Sequence, residues 1–205
     1  MVQKVAISPA PREDAAEAEL RAARGDRDAL ATLLRQHGRA IQELCRFVAG
    51  PVEGPDAAQE AFEKIVSAIG RFDPARGRFR TWALTVARNT CRDRLRRRTL
   101  QRNTFAADGE PLIEGAPAAA PTPEGYAVAR GEATRLDVAL ATLPENMRSV
   151  LVLFHFHEQS YEEIASTLGV PKGTVMTWLH RGRKRLRESL DASAGSRSLQ
   201  PEIQA

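Results

Sequence analysis

The sequence predicts an all-α protein built from two small helical domains that are joined by a flexible linker. Apolar residues recur at helical spacing along almost the whole chain, and no segment shows the strict alternation typical of a strand. Composition changes sharply at Thr104, and 205 residues suffice for one ordinary domain or two small ones. The predicted division is a disordered N-terminus at 1–16, a first domain at 17–103, a linker at 104–122, a second domain at 123–191 and a disordered tail at 192–205.

Three helices are predicted in the first domain. Asp26 is a suitable N-cap for the first, and the Gly50-Pro51 and Gly54-Pro55 pairs end it. Its apolar stripe consists of Leu30, Leu33, Leu34, Ile41, Leu44 and Val48. A second helix is expected from about Asp56, and a third from Thr81 to about Arg98. The stretch 71–80 between them contains a Pro and a Gly, which predicts a basic loop.

Composition excludes several classes of protein. No apolar run approaches the ~20 residues of a membrane-spanning helix, and residues 1–20 lack the apolar stretch of a secretory signal. The two cysteines form neither a disulfide framework nor a zinc motif, so we expect a cytoplasmic chain with free, buried thiols. His155 and His157 point about 200° apart on a helix, and no phosphate loop or nucleophile motif is present. The sequence therefore predicts no enzyme, metal site, cofactor or membrane insertion.

Charge is concentrated in two basic blocks. Residues 71–103 contain eleven Arg against two Asp, and residues 172–187 contain six basic residues and no acid. Two such blocks indicate a polyanion contacted at two places, and nucleic acid is the obvious candidate. The linker has the opposite character, because residues 104–122 carry three acids and no base among three Pro and six Ala.

A helix-turn-helix is predicted in the second domain. Ser160 and Glu163 have the spacing of a capping box, Gly169 suits the left-handed end of that helix, and Pro171 precedes a new one. On this second helix Val175, Leu179, Gly182 and Leu186 share the face expected to pack inward, and Thr174, Thr177, Arg181 and Arg185 share another.

These motifs together resemble a known family. The runs Asp-Ala-Ala-Gln-Glu-Ala-Phe at 56–62, Arg-Phe-Arg-Thr-Trp at 78–82 and Ala-Arg-Asn at 87–89 are similar to region 2 of bacterial sigma factors. The segments 143–165, Gly-Thr-Val at 173–175 and Leu-His-Arg at 179–181 are similar to sigma region 4. Their order and spacing resemble the extracytoplasmic-function (ECF) sigma factors.

The resemblance implies partners and functional residues. Its implied partners are core RNA polymerase (the β′ clamp helices and the β subunit), promoter DNA and an anti-sigma protein. The residues implied to contact the polymerase are Asp56, Gln59 and Glu60. Trp82 equally suits the core, but it also belongs to the residues implied to melt and read the −10 element. These are Phe72, Arg76, Arg78, Phe79, Arg80, Trp82, Asn89, Arg92, Arg96, Arg97 and Arg98. The residues implied to bind the −35 element are Lys172, Thr174, Thr177, Arg181, Lys184 and Arg185.

Some features depart from the family pattern, and one alternative remains open. Met176 and Trp178 stand where the family often has basic residues, and Gly182 replaces a usual Ala at a cost of about 1 kcal/mol in helix propensity. The acidic linker is expected to lie in the RNA path of the polymerase. The alternative is a stand-alone helix-turn-helix regulator, which would bind duplex DNA without polymerase.

Overall fold

The structure is a computed structural model that describes residues 12–105 and 135–195. All regular structure within these two ranges is helical, as predicted. The elements are α1 (Arg12–Ala23), α2 (Arg27–Ala68), a single 3-10 turn (Ile69–Arg71), α3 (Phe79–Phe105), α4 (Arg135–Ala141), α5 (Glu145–His155), α6 (Tyr161–Leu168) and α7 (Lys172–Gly195). No helix in these ranges combines the length and apolar character that crossing a membrane requires.

The kinked helix α2 is the framework of the first domain. Asp26 caps its start as predicted, and its carboxylate accepts the backbone amides of Asp28 and Ala29, both at 3.0 Å. The kink lies at Gly50, where φ is 90° and ψ is 169°. Helix resumes directly at Pro51, whose fixed φ and missing amide suit a first helical position. The second segment therefore begins about five residues before the predicted start at Asp56.

Three predicted boundaries require correction. Helix α1 begins at Arg12, inside the N-terminus predicted to be disordered up to residue 16. Helix α3 continues to Phe105, past the predicted linker boundary, and α7 continues to Gly195, past the predicted end of the domain at 191. Helix termini extend beyond a packed core wherever the following residues tolerate helical backbone. The remainder of the predicted linker, the start of the second domain and the extreme termini lie outside the described residues.

The two domains share a continuous apolar core. Buried residues of α2 and α3, such as Leu44 and Leu84, belong to the same cluster as Leu140, Val150 and Ile164 of the second domain. Helix α2 contacts α4 and α5, and α3 contacts α6. The sequence predicted the domains but not this direct packing between them.

The two cysteines are both fully buried and free, as predicted. Cys45 lies on α2 and Cys91 on α3. Contact with the Cys45 thiol, together with burial, raises the pKa of Cys91. A thiol of this kind behaves as a small apolar core side chain.

Candidate nucleic-acid interface

An aromatic cluster lies beneath the basic loop of the first domain. The Phe72 ring centroid is 5.7 Å from that of Phe79 and 5.3 Å from that of Trp82. Phe72 and Phe79 are buried, and Trp82 is half-buried against the same core. The prediction that the two phenylalanines offer stacking surface to bases does not match this conformation, because burial leaves neither ring face open. The two phenylalanines support the loop from inside. Trp82 packs against the core, which is one of the two roles that the sequence allowed for it.

Glu19 of α1 fixes the start of α3. Its carboxylate accepts the Phe79 amide at 3.1 Å and forms an ion pair with the Arg78 Nε atom at 3.3 Å. A carboxylate at this place is favourable because the first amides of a helix have no partner within it. Sequence reasoning missed Glu19, since it lies sixty residues away from its partner and no local pattern marks it.

The arginines predicted to contact −10 DNA fall into two groups. Those at the loop and on the outer face of α3 are exposed to solvent, and they are Arg76, Arg78, Arg92 and Arg96. Arg80 instead donates its Nη2 to the carbonyl of His157 in the second domain at 2.7 Å. Asn89 is half-buried and accepts from the neighbouring Arg88 at 3.4 Å. The second domain thus covers part of the predicted face.

Arg97 and Arg98 point to an acidic ridge on α2, which consists of Glu53, Asp56 and Glu60. Arg97 pairs with Glu60 at 3.0 Å, and Arg98 pairs with Glu53 at 3.7 Å. The structure therefore joins two groups of residues that the sequence analysis had assigned to different partners.

Arg94 is the centre of this network and was not singled out from the sequence. Its guanidinium contacts all three ridge carboxylates, at 2.9 Å from Glu53, 3.4 Å from Asp56 and 3.3 Å from Glu60. Its side chain is only 23% exposed. Helical spacing would have placed Arg94 on the same face as Arg97 and Arg98, but only tertiary packing brings α2 against that face.

Glu60 of the ridge is held in its charged form. Burial by itself raises the pKa of Glu60, but bonds from Lys64, Arg94 and Arg97 outweigh this effect and hold the pKa below its ordinary value. Asp56 remains 72% exposed, and Gln59 is exposed and donates to Glu63 at 3.2 Å. Asp56 of the ridge and the neighbouring Gln59 therefore offer a carboxylate and an amide to a partner, while the inner side of the ridge is paired with arginines of α3.

The helix-turn-helix has the predicted geometry. The Glu163 backbone amide donates a hydrogen bond to Ser160 Oγ at 3.2 Å, and the Ser160 backbone amide donates to Glu163 Oε2 at 2.8 Å. These two bonds confirm the predicted capping box. Gly169 ends α6 in the left-handed conformation with φ of 66°. The predicted inward residues of α7 are buried or half-buried, and they are Val175, Leu179, Gly182 and Leu186.

Gly182 has a packing reason that the sequence did not reveal. A Cβ at this position would lie 3.2 Å from Leu151 Cδ1 and 3.4 Å from Met147 Cβ. Glycine therefore lets α7 approach α5 closely, and this contact offsets its weak helix propensity.

The opposite face of α7 is open to solvent. Thr177, Arg181, Lys184 and Arg185 are exposed, and Thr174 is half-buried. The Thr177 hydroxyl donates to the Gly173 carbonyl at 2.9 Å, which uses its proton and leaves its oxygen able to accept. Lys172 forms an ion pair with Glu162 of α6. Trp178 is half-buried against the core, whereas Met176 is 51% exposed.

Comparison with known protein families decides between the two interpretations of the sequence. Residues 33–101 match Sigma-70 region 2, and residues 133–186 match Sigma-70 region 4. The chain belongs to the sigma-70 family. Both regions occur in the order of a promoter-recognising sigma factor, and these matches give no support to a stand-alone regulator.

Similar proteins narrow this sigma factor to the ECF group. It is 34% identical over 172 residues to the ECF RNA polymerase sigma factor SigW of Bacillus subtilis (strain 168), covering 82% of this chain and 91% of that one. It is 33% identical over 172 residues to the ECF RNA polymerase sigma factor SigE of Mycolicibacterium smegmatis, covering 82% of this chain and 65% of SigE. Both are ECF sigma factors by name, as the sequence motifs predicted.

Two solved structures share the fold of this ECF sigma factor. CnrH, solved in complex with the cytosolic domain of CnrY, is 26% identical with a TM-score of 0.62, covering 87% of this chain and 97% of its own. The sigma factor RpoE of Bartonella quintana, solved with the anti-sigma factor NepR, is 22% identical with a TM-score of 0.60, covering 79% and 96%.

Proposed function

We propose that this sigma factor docks on core polymerase through the exposed side of its acidic ridge and meets promoter DNA with two separate basic faces. The observation that carries this proposal is the exposure of three distinct surfaces on one family-matched chain: Asp56 with Gln59, the arginines of α3, and the outer face of α7. The β′ clamp helices are the proposed partner of the ridge. The role is one of binding, without a catalytic step of its own.

The first domain is proposed to hold the melted −10 element. Exposed arginines at the loop and along α3 (Arg76, Arg78, Arg92 and Arg96) suit phosphate contacts, which position DNA without reading it. Asn89 supplies an amide of the kind that pairs with base edges. Arg97 and Arg98 are proposed to contact DNA phosphates in addition to the ridge carboxylates, since both side chains remain partly exposed.

The second domain is proposed to read the −35 element with α7. Residues near the start of a recognition helix usually reach bases, and later ones reach the backbone. Thr174 and Thr177 are therefore the proposed sequence-reading residues, together with Arg181. Lys172, Lys184 and Arg185 provide phosphate contacts, with Lys172 next to the positive end of the helix.

Regulation by an anti-sigma protein is also proposed. CnrH was solved with a domain of CnrY, and RpoE of Bartonella quintana was solved with the anti-sigma factor NepR. A partner of this kind would have to cover the ridge or the α7 face in order to keep the chain from polymerase or DNA. A function at the bacterial chromosome implies a cytoplasmic location.

The docking assignment is tested with purified core polymerase and the full chain. Asp56→Lys is the informative variant, because this side chain is 72% exposed and surface changes usually alter stability by less than about 0.5 kcal/mol. We expect loss of core binding and of run-off transcription with an unchanged melting temperature. Glu60→Lys is less clean, since the Glu60 side chain is only 24% exposed and pairs with Lys64 and Arg97 in addition to Arg94.

A matched control is Glu17→Lys, an equal charge change at an exposed position of α1. This variant is expected to keep wild-type affinity for core polymerase. A folded Asp56→Lys protein that binds core polymerase as tightly as the wild type would refute the ridge as the docking surface.

A further inference from the structure

Glu19 is a buried carboxylate at the base of the basic loop that joins the 3-10 turn to α3. Its side chain is only 6% exposed, although it belongs to the short helix α1. A single oxygen, Oε1, accepts the backbone amide of Phe79 at 3.1 Å and lies 3.3 Å from Nε of Arg78. Burial of a carboxylate costs free energy that an ion pair often does no more than return, so the contact is weak evidence for a role in stability.

The start of α3 has no acid of its own. Its first turn contains none, and Arg78 directly precedes it, with a carbonyl that accepts the Trp82 amide at 3.2 Å. A cation at this position is unfavourable, because the amino end of a helix carries partial positive charge. Glu19 therefore supplies, from a different helix, the negative charge and the amide acceptor that a capping residue normally provides.

The backbone of the loop is held at its base and within its turn. The buried rings of Phe72 and Phe79 meet edge to face where the loop begins and ends. Asp73 closes the turn between them, because its carboxylate and its carbonyl each accept a backbone amide at 3.0 Å. The ion pair with Glu19 extends this order from the backbone to the side chain of Arg78.

The anchored guanidinium keeps donors for a further partner. The ion pair involves Nε, a guanidinium has five N–H donors in all, and the Arg78 side chain remains 55% exposed. A side chain that is already held in place loses less conformational freedom when it binds a phosphate. Ordering one long side chain on binding lowers affinity by about three- to tenfold, and anchoring by Glu19 avoids most of this loss.

We propose that Glu19 is a positioning residue of the −10 face, which holds Arg78 and the basic loop in the conformation that receives the melted DNA strand. Glu19 itself lies behind the loop and acts through Arg78. The effect on DNA rests on the proposed contact of Arg78 with the −10 element, whereas the anchoring of the loop does not.

The expected effect is opposite in sign to that of charge alone. Removing a negative charge beside a DNA-binding surface tightens binding to a polyanion if only the net charge matters. Glu19→Gln keeps an oxygen for the Phe79 amide and removes the charge that pairs with Arg78. We expect this variant to bind the −10 strand about three- to tenfold more weakly at an unchanged melting temperature. Glu19→Asp, which keeps the charge, should recover part of the loss.

The binding assay uses holoenzyme assembled from core polymerase and the full chain. Its probe is the fluorescent non-template strand across the −10 region of a promoter selected with the wild-type holoenzyme, and permanganate reactivity of the same region in the duplex reports melting. Glu17→Gln removes an equal charge at an exposed position of α1 and should change strand affinity by less than about twofold. Core binding should be the same for all variants.

A double-mutant cycle separates positioning from a general structural effect. Arg78→Ala removes the side chain through which Glu19 is proposed to act. In that background Glu19→Gln should cause no further loss of strand affinity, since the pair no longer exists. A loss that arises from altered folding would persist there and would also lower the melting temperature.

Limited digestion of the free chain with trypsin tests the anchor without polymerase or DNA. The loop offers cleavage after Arg76 and Arg78, and both residues are exposed. Cleavage follows the population of locally opened chains when opening and closing are fast. We expect both bonds to be cut about threefold faster or more in Glu19→Gln, and at the wild-type rate in Glu17→Gln.

Each outcome decides a different statement. A Glu19→Gln holoenzyme that binds the strand as tightly as the wild type, or more tightly, overturns the proposal, and so does an equal loss in the Arg78→Ala background. An unchanged digestion rate overturns the anchoring of the loop. If Arg78→Ala itself leaves strand binding unchanged, the proposed −10 contact of Arg78 fails, while the digestion rate still decides whether Glu19 anchors the loop.

Discussion

Acidification should destabilise this protein through His157, which lies in the loop between α5 and α6. The residue is 2% exposed and its carbonyl accepts from Arg80. Burial lowers the pKa of the imidazole from 6.5 to about 4, and the positive charge of Arg80 acts in the same direction, while the negative charge of Glu43 opposes it. The folded chain therefore holds this ring neutral under conditions in which an exposed imidazole takes up a proton.

The size of the effect follows from proton linkage. Because the folded pKa lies below the unfolded one, the contribution to stability is complete above pH 6.5 and is lost as the pH falls towards 4. Each pKa unit corresponds to about 1.4 kcal/mol, so lowering the pH from about 7.5 to about 5 should remove about 2 kcal/mol from the free energy of unfolding. Carboxylates contribute little in this interval, since their titration occurs at lower pH.

The assay is urea-induced unfolding of the full chain at both pH values, followed by circular dichroism. His157→Gln removes the titrating ring but keeps the carbonyl that binds Arg80, so its loss between the two pH values should be about 2 kcal/mol smaller. Burial also lowers the pKa of His37 and of His155, so the variant should retain a residual pH dependence. His180→Gln, an exposed change on α7, serves as control. Equal losses in the His157→Gln variant and in the wild type would refute the reasoning.

Two further predictions concern the binding surfaces. Arg94→Met removes the guanidinium that holds the ridge carboxylates and should weaken core binding by up to about 1 kcal/mol, with partial recovery in Arg94→Lys, measured by titration with core polymerase beside a thermal melt. An unchanged affinity in the folded Arg94→Met variant would contradict its positioning role. Thr177→Ala should reduce discrimination at one base pair of the −35 element by roughly 1–3 kcal/mol. Lys184→Ala should instead weaken binding to all promoters alike and reduce the slope of log affinity against log salt concentration by about one unit. A promoter library scored with each holoenzyme checks this division, and a reversed pattern would contradict it.

The features that were predictable from sequence depend on local interactions. The Asp26 cap, the capping box of Ser160 and Glu163, and the left-handed Gly169 each involve residues within four positions of one another. The inward face of α7 follows in the same way, because helical periodicity alone places Val175 and Leu179 together. Such signals are present in the chain before it folds, and the structure confirms them.

Other features depended on which helices meet. Phe72 and Phe79 are hydrophobic residues in a basic loop, and no local rule separates a buried ring there from one that stacks on DNA. The partners of Arg94 lie between 34 and 41 residues away, on a different helix. A sequence shows the charge of each side chain, but only the approach of α2 to α3 decides which charges neutralise each other.

The contact between the two domains shows the same division. The sequence by itself determined two helical domains, their order, and the residue types that suit polymerase and DNA, because composition, periodicity and capping are local properties. The pairing of Arg88 with Glu145 joins residues 57 positions apart across a segment rich in Pro and Ala. Tertiary structure decided that contact, since its stability depends on how much water the surrounding helices exclude once they have packed.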